Sequence, residues 1–446
     1  MPKRILVAVR FAQLILTPLA CLACACGLAP GLLTAGEAEV ESPAVQRPEW
    51  PQWRGPRRDG QVEGPQWPDR LDPENIERVW RVKLGESYSG PIVTDDLIFT
   101  TETKDKKIEA AVAIDRRTGK EVWRKEWDGA ISVPFFATRN GNWIRSTPAY
   151  DGECLYVAGM RDVLVCLDGT TGNERWRVDF VKEFNTTIPA FGFVCSPLID
   201  GDGVFVQAGC SLAKVDRRTG KVIWRSLQDA GGMMGSAFSS PVIAELCGKR
   251  HIVVQTREKL AGVDIDSGNV LWEQPVPSFR GMNILTPVVF KDSIFTSTYQ
   301  NKSFLYQTSL NEGVFGVKEA WTNPAQCYMS TPVVVDGRAY MHLQNRRFCC
   351  IDLASGERTW TSKPQDEYCS LVAQGDRILA LGSGGRLLLL RANPVEFELI
   401  DEATVSDAET WAHLAVSGDE LVVRELGALA LHRWRRGSPA TSSTGR

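Results

Sequence analysis

Histidine is nearly missing from this chain: residues 251, 342, 413 and 432 are the only four in 446. Zinc hydrolases and His-centred catalytic triads therefore have little to draw on. His413 borders an inner strand of the repeat described below, and it too reads as packing rather than catalysis. The Cys-x-x-Cys-His sequence of haem attachment is absent, and the cysteines show no metal-binding spacing. The Gly-rich pieces Gly231–Gly235 and Gly382–Gly385 lack a P-loop lysine and read as loops and turns. Charge is balanced, 51 Lys and Arg against 54 Asp and Glu, which excludes a basic nucleic-acid surface and an acidic disordered tract. Helical periodicity is missing, and past the N-terminus no apolar run is long enough to cross a bilayer.

What is present begins with Lys3, Arg4 and Arg10, an apolar run from Phe11 to Leu33, and small residues at Thr34–Gly36. This pattern predicts an export signal over 1–36, cleaved after Ala35 or Ala38. The alternative is lipid attachment at Cys21, Cys24 or Cys26, although none has a good lipobox before it. Membrane association is expected only through such an anchor. Residues 37–49 read as an extended linker, and the Trp-, Pro- and Gly-rich stretch 50–77 as a segment capping one end of the fold. Cys154, Cys166, Cys195, Cys210, Cys247, Cys327, Cys349, Cys350 and Cys369 remain after export, an odd number. A bridge between Cys154 and Cys166 across a hairpin is one reading; buried thiols are the preferred one.

One unit organises the rest. Ala113-Ile-Asp115-Arg-Arg-Thr118-Gly119-Lys-Glu-Val-Trp123 returns as Asp168, Thr171, Gly172, Trp176; Asp216, Thr219, Gly220, Trp224; Asp264, Ser267, Gly268, Trp272; and Asp352, Ser355, Gly356, Trp360. Asp bonds its own backbone two residues on, Gly accepts the positive φ of a tight reversal, and the Trp on the returning strand fills the gap to the next unit. A second element, a small residue and Pro before a β-branched run, opens the units at Gly90, Thr147, Ser196, Ser240, Thr286 and Thr331, with degenerate copies at Ser370 and His413. Each unit parses as four short strands, so the chain is predicted to be all-β: an eight-bladed β-propeller over 78–436. Trp80 lies on a fourth strand with no unit before it, and Ala428–Trp434 is a third strand with none after it. Their pairing is expected to close the ring. Residues 437–446 are left as a disordered tail.

The repeat resembles the pyrroloquinoline-quinone-type β-propeller family, whose tryptophan-docking motif Ala-x-Asp-x-x-Thr-Gly-x-x-x-Trp is filled by Ala113, Asp115, Thr118, Gly119 and Trp123. Trp50 to Gly60 is similar to the opening of exported quinoprotein-like repeat proteins of planctomycete-type bacteria. The resemblance covers both quinoprotein dehydrogenases and a non-enzymatic BamB-like branch that binds other proteins. The enzymes require a stacked quinone, calcium held by carboxylate and amide oxygens, an Asp base and a strained pair of adjacent cysteines. Cys349-Cys350 invites that reading, but Cys350 falls at the Ala position of the docking motif, a strand position. No catalytic residue, metal or cofactor is expected. The preferred reading is an exported, monomeric scaffold of the periplasm or cell envelope that binds an envelope protein; a quinone-and-calcium dehydrogenase and a small-molecule or carbohydrate sensor are the alternatives.

Binding is expected on the face that carries the long connections between blades. Ser132 to Arg145, with Phe135, Phe136, Arg139, Trp143 and Arg145, and Phe180 to Phe193, with Phe191 and Phe193, are the aromatic-rich ones. The inner-strand positions Ser89, Ser146, Cys195, Ser239, Leu285, Ser330, Cys369 and Ala412 are expected to ring the axis with small side chains. Above them a funnel lined by Arg145, Arg280, Tyr328, Tyr368 and Trp411 is expected.

Overall fold

The computed structural model describes residues 49–231 and 237–435, less the side chains of 139 and 140. The export segment, the linker to residue 48, residues 232–236 and the tail from 436 lie outside the described residues. Eight four-stranded antiparallel sheets form a ring, the expected eight-bladed β-propeller. Blades 1 to 7 span 92–128, 149–179, 198–226, 242–275, 288–323, 333–364 and 369–404. Blade 8 takes 415–434 and borrows Ile76–Lys83 as its outer strand.

The outer hairpins form because a side chain does the work of backbone at the turn. The Asp115 carboxylate accepts from the Arg117 and Thr118 amides and from the Thr118 hydroxyl, at 2.7–3.1 Å. Gly119 follows at φ 72°, a value that L side chains adopt only under strain. Asp168, Asp216, Asp264 and Asp352 repeat the arrangement with their own Thr or Ser. These bonds favour the ionised carboxyl, and the Asp168 pKa is drawn down to about 2, with Arg175 the largest cause.

Each tryptophan then docks on the next blade. A Cβ built on Gly119, Gly172, Gly220, Gly268 or Gly356 would meet the ring of Trp80, Trp123, Trp176, Trp224 or Trp321 at 2.5–2.8 Å, so only Gly admits the stacking. The indole N–H of Trp80, Trp123, Trp176, Trp321 and Trp360 donates to the carbonyl of Arg116, Gly169, Arg217, Leu353 and Asn393 on the following blade, at 2.9–3.0 Å. Burying such a ring contributes on the order of 2 to 3 kcal/mol. Blades 5 and 7 lack Asp-Thr-Gly, and each solves the joint differently. Asn393 bonds the Val395 amide at 2.8 Å in place of the missing Asp. Blade 5 offers no Thr-Gly turn to Trp272, which donates instead to His251 within blade 4, at 3.0 Å.

The core is correspondingly divided, lying between blades rather than at one centre. Cys349 packs with Cys327 and Met341 on one side of blade 6, and Cys350 with Tyr340 and Leu371 on the other. Strand alternation sends the adjacent pair in opposite directions. All the cysteines of the described residues are free thiols, Cys154 and Cys166 among them.

The ring closes as the sequence predicted: Ile76–Lys83 pairs antiparallel with Ala428–Trp434, from Ile76 opposite Trp434 to Lys83 opposite Ala428. A buried ion pair seals the seam. Arg116 of blade 1 meets Glu420 of blade 8 at 2.6 Å with neither side chain more than 1% exposed, and it also donates to the Ser417 hydroxyl. Arg433 shares Glu420 at 2.6 Å.

Candidate functional site: the axial cavity and its rim

The recurring Ser/Thr-Pro element has a structural cause. The Gly90 amide donates to the Thr147 hydroxyl, Thr147 to Ser196, Ser196 to Ser240, and Ser240 to Thr286, at 2.9–3.2 Å. Each hydroxyl takes the inner-strand amide of the blade before it, so a belt of hydrogen bonds runs around the axis through blades 1 to 5. Proline follows because its ring fixes φ and its missing N–H leaves no donor to satisfy there.

The expected small-residue ring requires correction. Ser89, Ser146, Cys195, Ser239, Leu285, Ser330, Cys369 and Ala412 are all buried, at 0–2% exposure, inside the wall. The axis is lined by their immediate neighbours, among them Tyr88, Thr147, Ser196, Phe238, Ser240, Ile284, Thr286, Tyr368, Trp411 and His413. Successive side chains of an extended strand point to opposite sides, and the one-residue offset exchanges wall for lumen.

The lumen is a cavity of about 190 Å³. Five of the ten residues predicted for the binding face line it: Arg145, Phe191, Tyr328, Tyr368 and Trp411. Tyr368 and Trp411 stack in parallel, with centroids 5.4 Å apart and planes 1° apart. Trp143 stands behind, edge-on to Tyr88 at 5.4 Å. Arg280 is a second correction: it sits in the exposed turn Phe279–Gly281 at φ 54°, its guanidinium 4.9 Å from the Phe279 ring centroid, and the same connection sends Met282 to the cavity instead. Phe193 is a third: it is 2% exposed, packed against Phe180 between blades 2 and 3. Phe135 and Phe136 do reach the surface, at 88% and 53% exposure.

A residue outside the predicted face forms part of the cavity wall. Trp53, in the N-terminal stretch, lines it next to His413, with centroids 5.8 Å apart. Its neighbours hold it at the axis. Trp50 pairs with Val93 of blade 1, the Val62 amide donates to Ala373 of blade 7, and the Tyr150 amide of blade 2 donates to Pro51. Arg54 and Arg58 reach through to the carbonyls of Pro332 and of Ser196 and Pro197. Both guanidiniums lie within 5.7 Å of the Trp53 ring centroid, a cation–π setting. Burial lowers their pKa to about 10 and about 9. Trp density alone marked the stretch in the sequence; nothing local revealed that it enters the ring.

Carboxylates act on the cavity from outside its lining: Glu109 on Arg145, Glu409 on Tyr88 and Glu367 on Tyr328. Among the described residues, Arg145 is the single charged residue of the cavity walls, which include no carboxylate. The Arg145 guanidinium donates to the carbonyls of Trp143 and Gly141, and burial lowers its pKa to about 10. Burial also lowers the His413 pKa to about 3, so the imidazole is neutral. Beside the cavity, Glu109 is fully buried and accepts from the Trp127 indole and the Met160 amide, both at 3.0 Å. Desolvation outweighs those bonds and raises its pKa to about 7. Asp162, which accepts from the Gly209 amide, is raised to about 7 for the same reason.

Known proteins of the same shape include the BamB of Moraxella catarrhalis, with a TM-score of 0.60 at 14% identity over 82% of this chain and 99% of that one. The quinohemoprotein alcohol dehydrogenase of Comamonas testosteroni also scores 0.60, at 13% identity over 90% and 82%. These likenesses establish the fold. In sequence, the outer membrane protein assembly factor BamB of Yersinia pestis is 24% identical over 305 residues, 61% of this chain and 74% of the relative. The family model described as outer membrane protein assembly factor BamB matches residues 107–362. Since that match runs through more than half of the chain and takes in the repeats that build the docked joints, the protein belongs to the BamB family of β-propellers.

Proposed function

We propose that this protein is a non-catalytic, protein-binding scaffold of the cell envelope, and that it engages its partner with the connection face around the mouth of the axial cavity. The observation that carries the reading is an aromatic path from solvent to axis. Phe135 contacts Phe136, Phe136 contacts Phe191, and Phe191 contacts Phe238, with centroids 5.6, 6.5 and 5.5 Å apart. Exposure falls from 88% at Phe135 to 5% at Phe191. A large exposed aromatic continuous with a buried apolar surface is the composition of an interface anchor. The BamB relatives, named for outer membrane protein assembly, support the same reading.

The reading includes no cofactor. Calcium takes six to eight oxygen ligands, carboxylates prominent among them, and among the described residues the cavity walls supply no carboxylate. Among the described residues no group of three or more His, Cys, Asp and Glu is placed to hold a metal. This donor set does not fit a calcium-bound quinone, and no step is derived through one. Export and action as a monomer belong to the same proposal.

The test is capture from an envelope fraction by the wild type and by the Phe135→Ser/Phe136→Ser double variant. Loss of a reproducible partner from the variant alone supports the reading. Equal capture by both removes the aromatic path as the interface. Incubation with pyrroloquinoline quinone and calcium is expected to give no dye-linked alcohol or sugar oxidation, and turnover would overturn the scaffold reading.

A further inference from the structure

The belt of hydroxyls has a chemical consequence for whatever enters the cavity. Thr147, Ser196, Ser240 and Thr286 each use a lone pair to accept a backbone amide, and all four face the lumen. A hydroxyl whose lone pair is engaged still has its proton to give. Arg145 adds a guanidinium, which only donates. Among the described residues the lumen is therefore rich in donors and has no carboxylate to receive them, and apart from Thr331 the remaining walls are apolar or aromatic. An electron-rich oxygen attached to an apolar body is the complement of this surface.

The aromatic path decides between sources of that oxygen. A free small molecule would gain nothing from Phe135, which stands 88% exposed outside the cavity. A polypeptide can cover Phe135 and Phe136 with one part and place a side chain at the axis with another. We infer that the axial cavity receives a segment of the partner polypeptide in which an Asp or Glu carboxylate, flanked by bulky apolar residues, binds Arg145 and the hydroxyl belt. This inference rests on the scaffold reading and names the chemistry of its partner. Trp53 of the N-terminal stretch lines the cavity, and the segment enters from the connection face, where the aromatic path begins.

The test uses the full chain and two pools of octapeptides, one composed of Leu, Phe, Ser and Asp, the other with Asn in place of Asp. Trp53 and Trp411 supply the fluorescence signal. The Asp pool is expected to bind saturably and about tenfold or more tightly than the Asn pool, the strength of a charge-assisted bond. Arg145→Gln should bring that ratio close to one, Arg145→Lys should retain part of it, and melting curves of both variants establish that the ring is folded. Equal binding of the two pools, no binding of either, or an unchanged ratio in Arg145→Gln overturns the inference. Saturable binding of benzoate with no binding of the Asp pool assigns the cavity to small molecules and overturns it as well. Partner capture that depends on Phe135 and Phe136 while both pools fail leaves the scaffold reading standing and removes only the cavity's role.

Discussion

On the turn face, five Asp-Thr/Ser-Gly turns repeat one hydrogen-bond pattern, and the N-terminal stretch is bonded to blades 1, 2 and 7. On the connection face no two loops match, Phe135 and Phe136 stand in solvent, and two buried carboxyls sit at the blade seams. The first face is where the chain spends its sequence on joining blades. The second is held in place by that joinery and is free to vary, the kind of surface on which a rigid scaffold carries binding residues. A substitution on the turn face should therefore register as stability, and one on the connection face as binding or as pH response.

The largest effect is expected at the seam. Arg116→Ala removes the guanidinium that meets the buried Glu420 carboxylate, and breaking a buried pair in this way costs about 3 to 5 kcal/mol. Denaturant titration measures it; a midpoint like that of the wild type would mean that strand pairing alone closes the ring.

Glu109 comes next and tests the other face. Its folded pKa, about 7, lies above the ordinary carboxyl value, so its contribution to stability is fully present below the unfolded pKa. It is lost as pH rises through 7. The loss should approach roughly 3 kcal/mol between pH 4.5 and 7.5. Glu109→Gln should roughly halve that slope, leaving the comparable share due to Asp162, whose pKa is also raised to about 7, and a variant with the wild-type slope would place the titration elsewhere.

Gly119→Ala is expected to cost about 2 kcal/mol, from a left-handed φ and from the Trp80 ring 2.8 Å from the new Cβ. Gly152→Ala, also at positive φ but with nothing within 4 Å, should cost about half as much. Equal losses would mean that backbone strain, and not the docked indole, sets the requirement for Gly. The smallest change in stability, within about 0.5 kcal/mol, is expected from Phe135→Ser/Phe136→Ser, although the same variant should lose its partner. A large drop in its melting temperature would make these rings part of the fold.

The repeat was legible because its residues act locally: Asp bonds its own turn, Gly supplies the φ, and Trp reaches the adjacent blade. Blade number, ring closure and the strand positions of Cys349 and Cys350 follow from registering those copies. The cavity was only half legible. Tyr368, Trp411 and Tyr328 were found by their place before the inner strands, whereas Phe238 and Tyr88, which hold the same place before Ser239 and Ser89, come to light only in the folded ring. Arg280 and Phe193 belong to loops whose local turns no spacing predicts, and these turns put the one in solvent and the other in the core.

What the sequence by itself determined about this protein is therefore the blade and the joint, because each depends on residues within one unit and its nearest neighbour. Only the tertiary structure decided the axis. Closing eight blades brings together Trp53, Arg145, Tyr368 and Trp411, which are far apart along the chain, and fixes which side of each inner strand faces the lumen. A cavity whose described walls hold one arginine, a belt of hydroxyl donors and no carboxylate is a property of that closure, and no segment carries it alone.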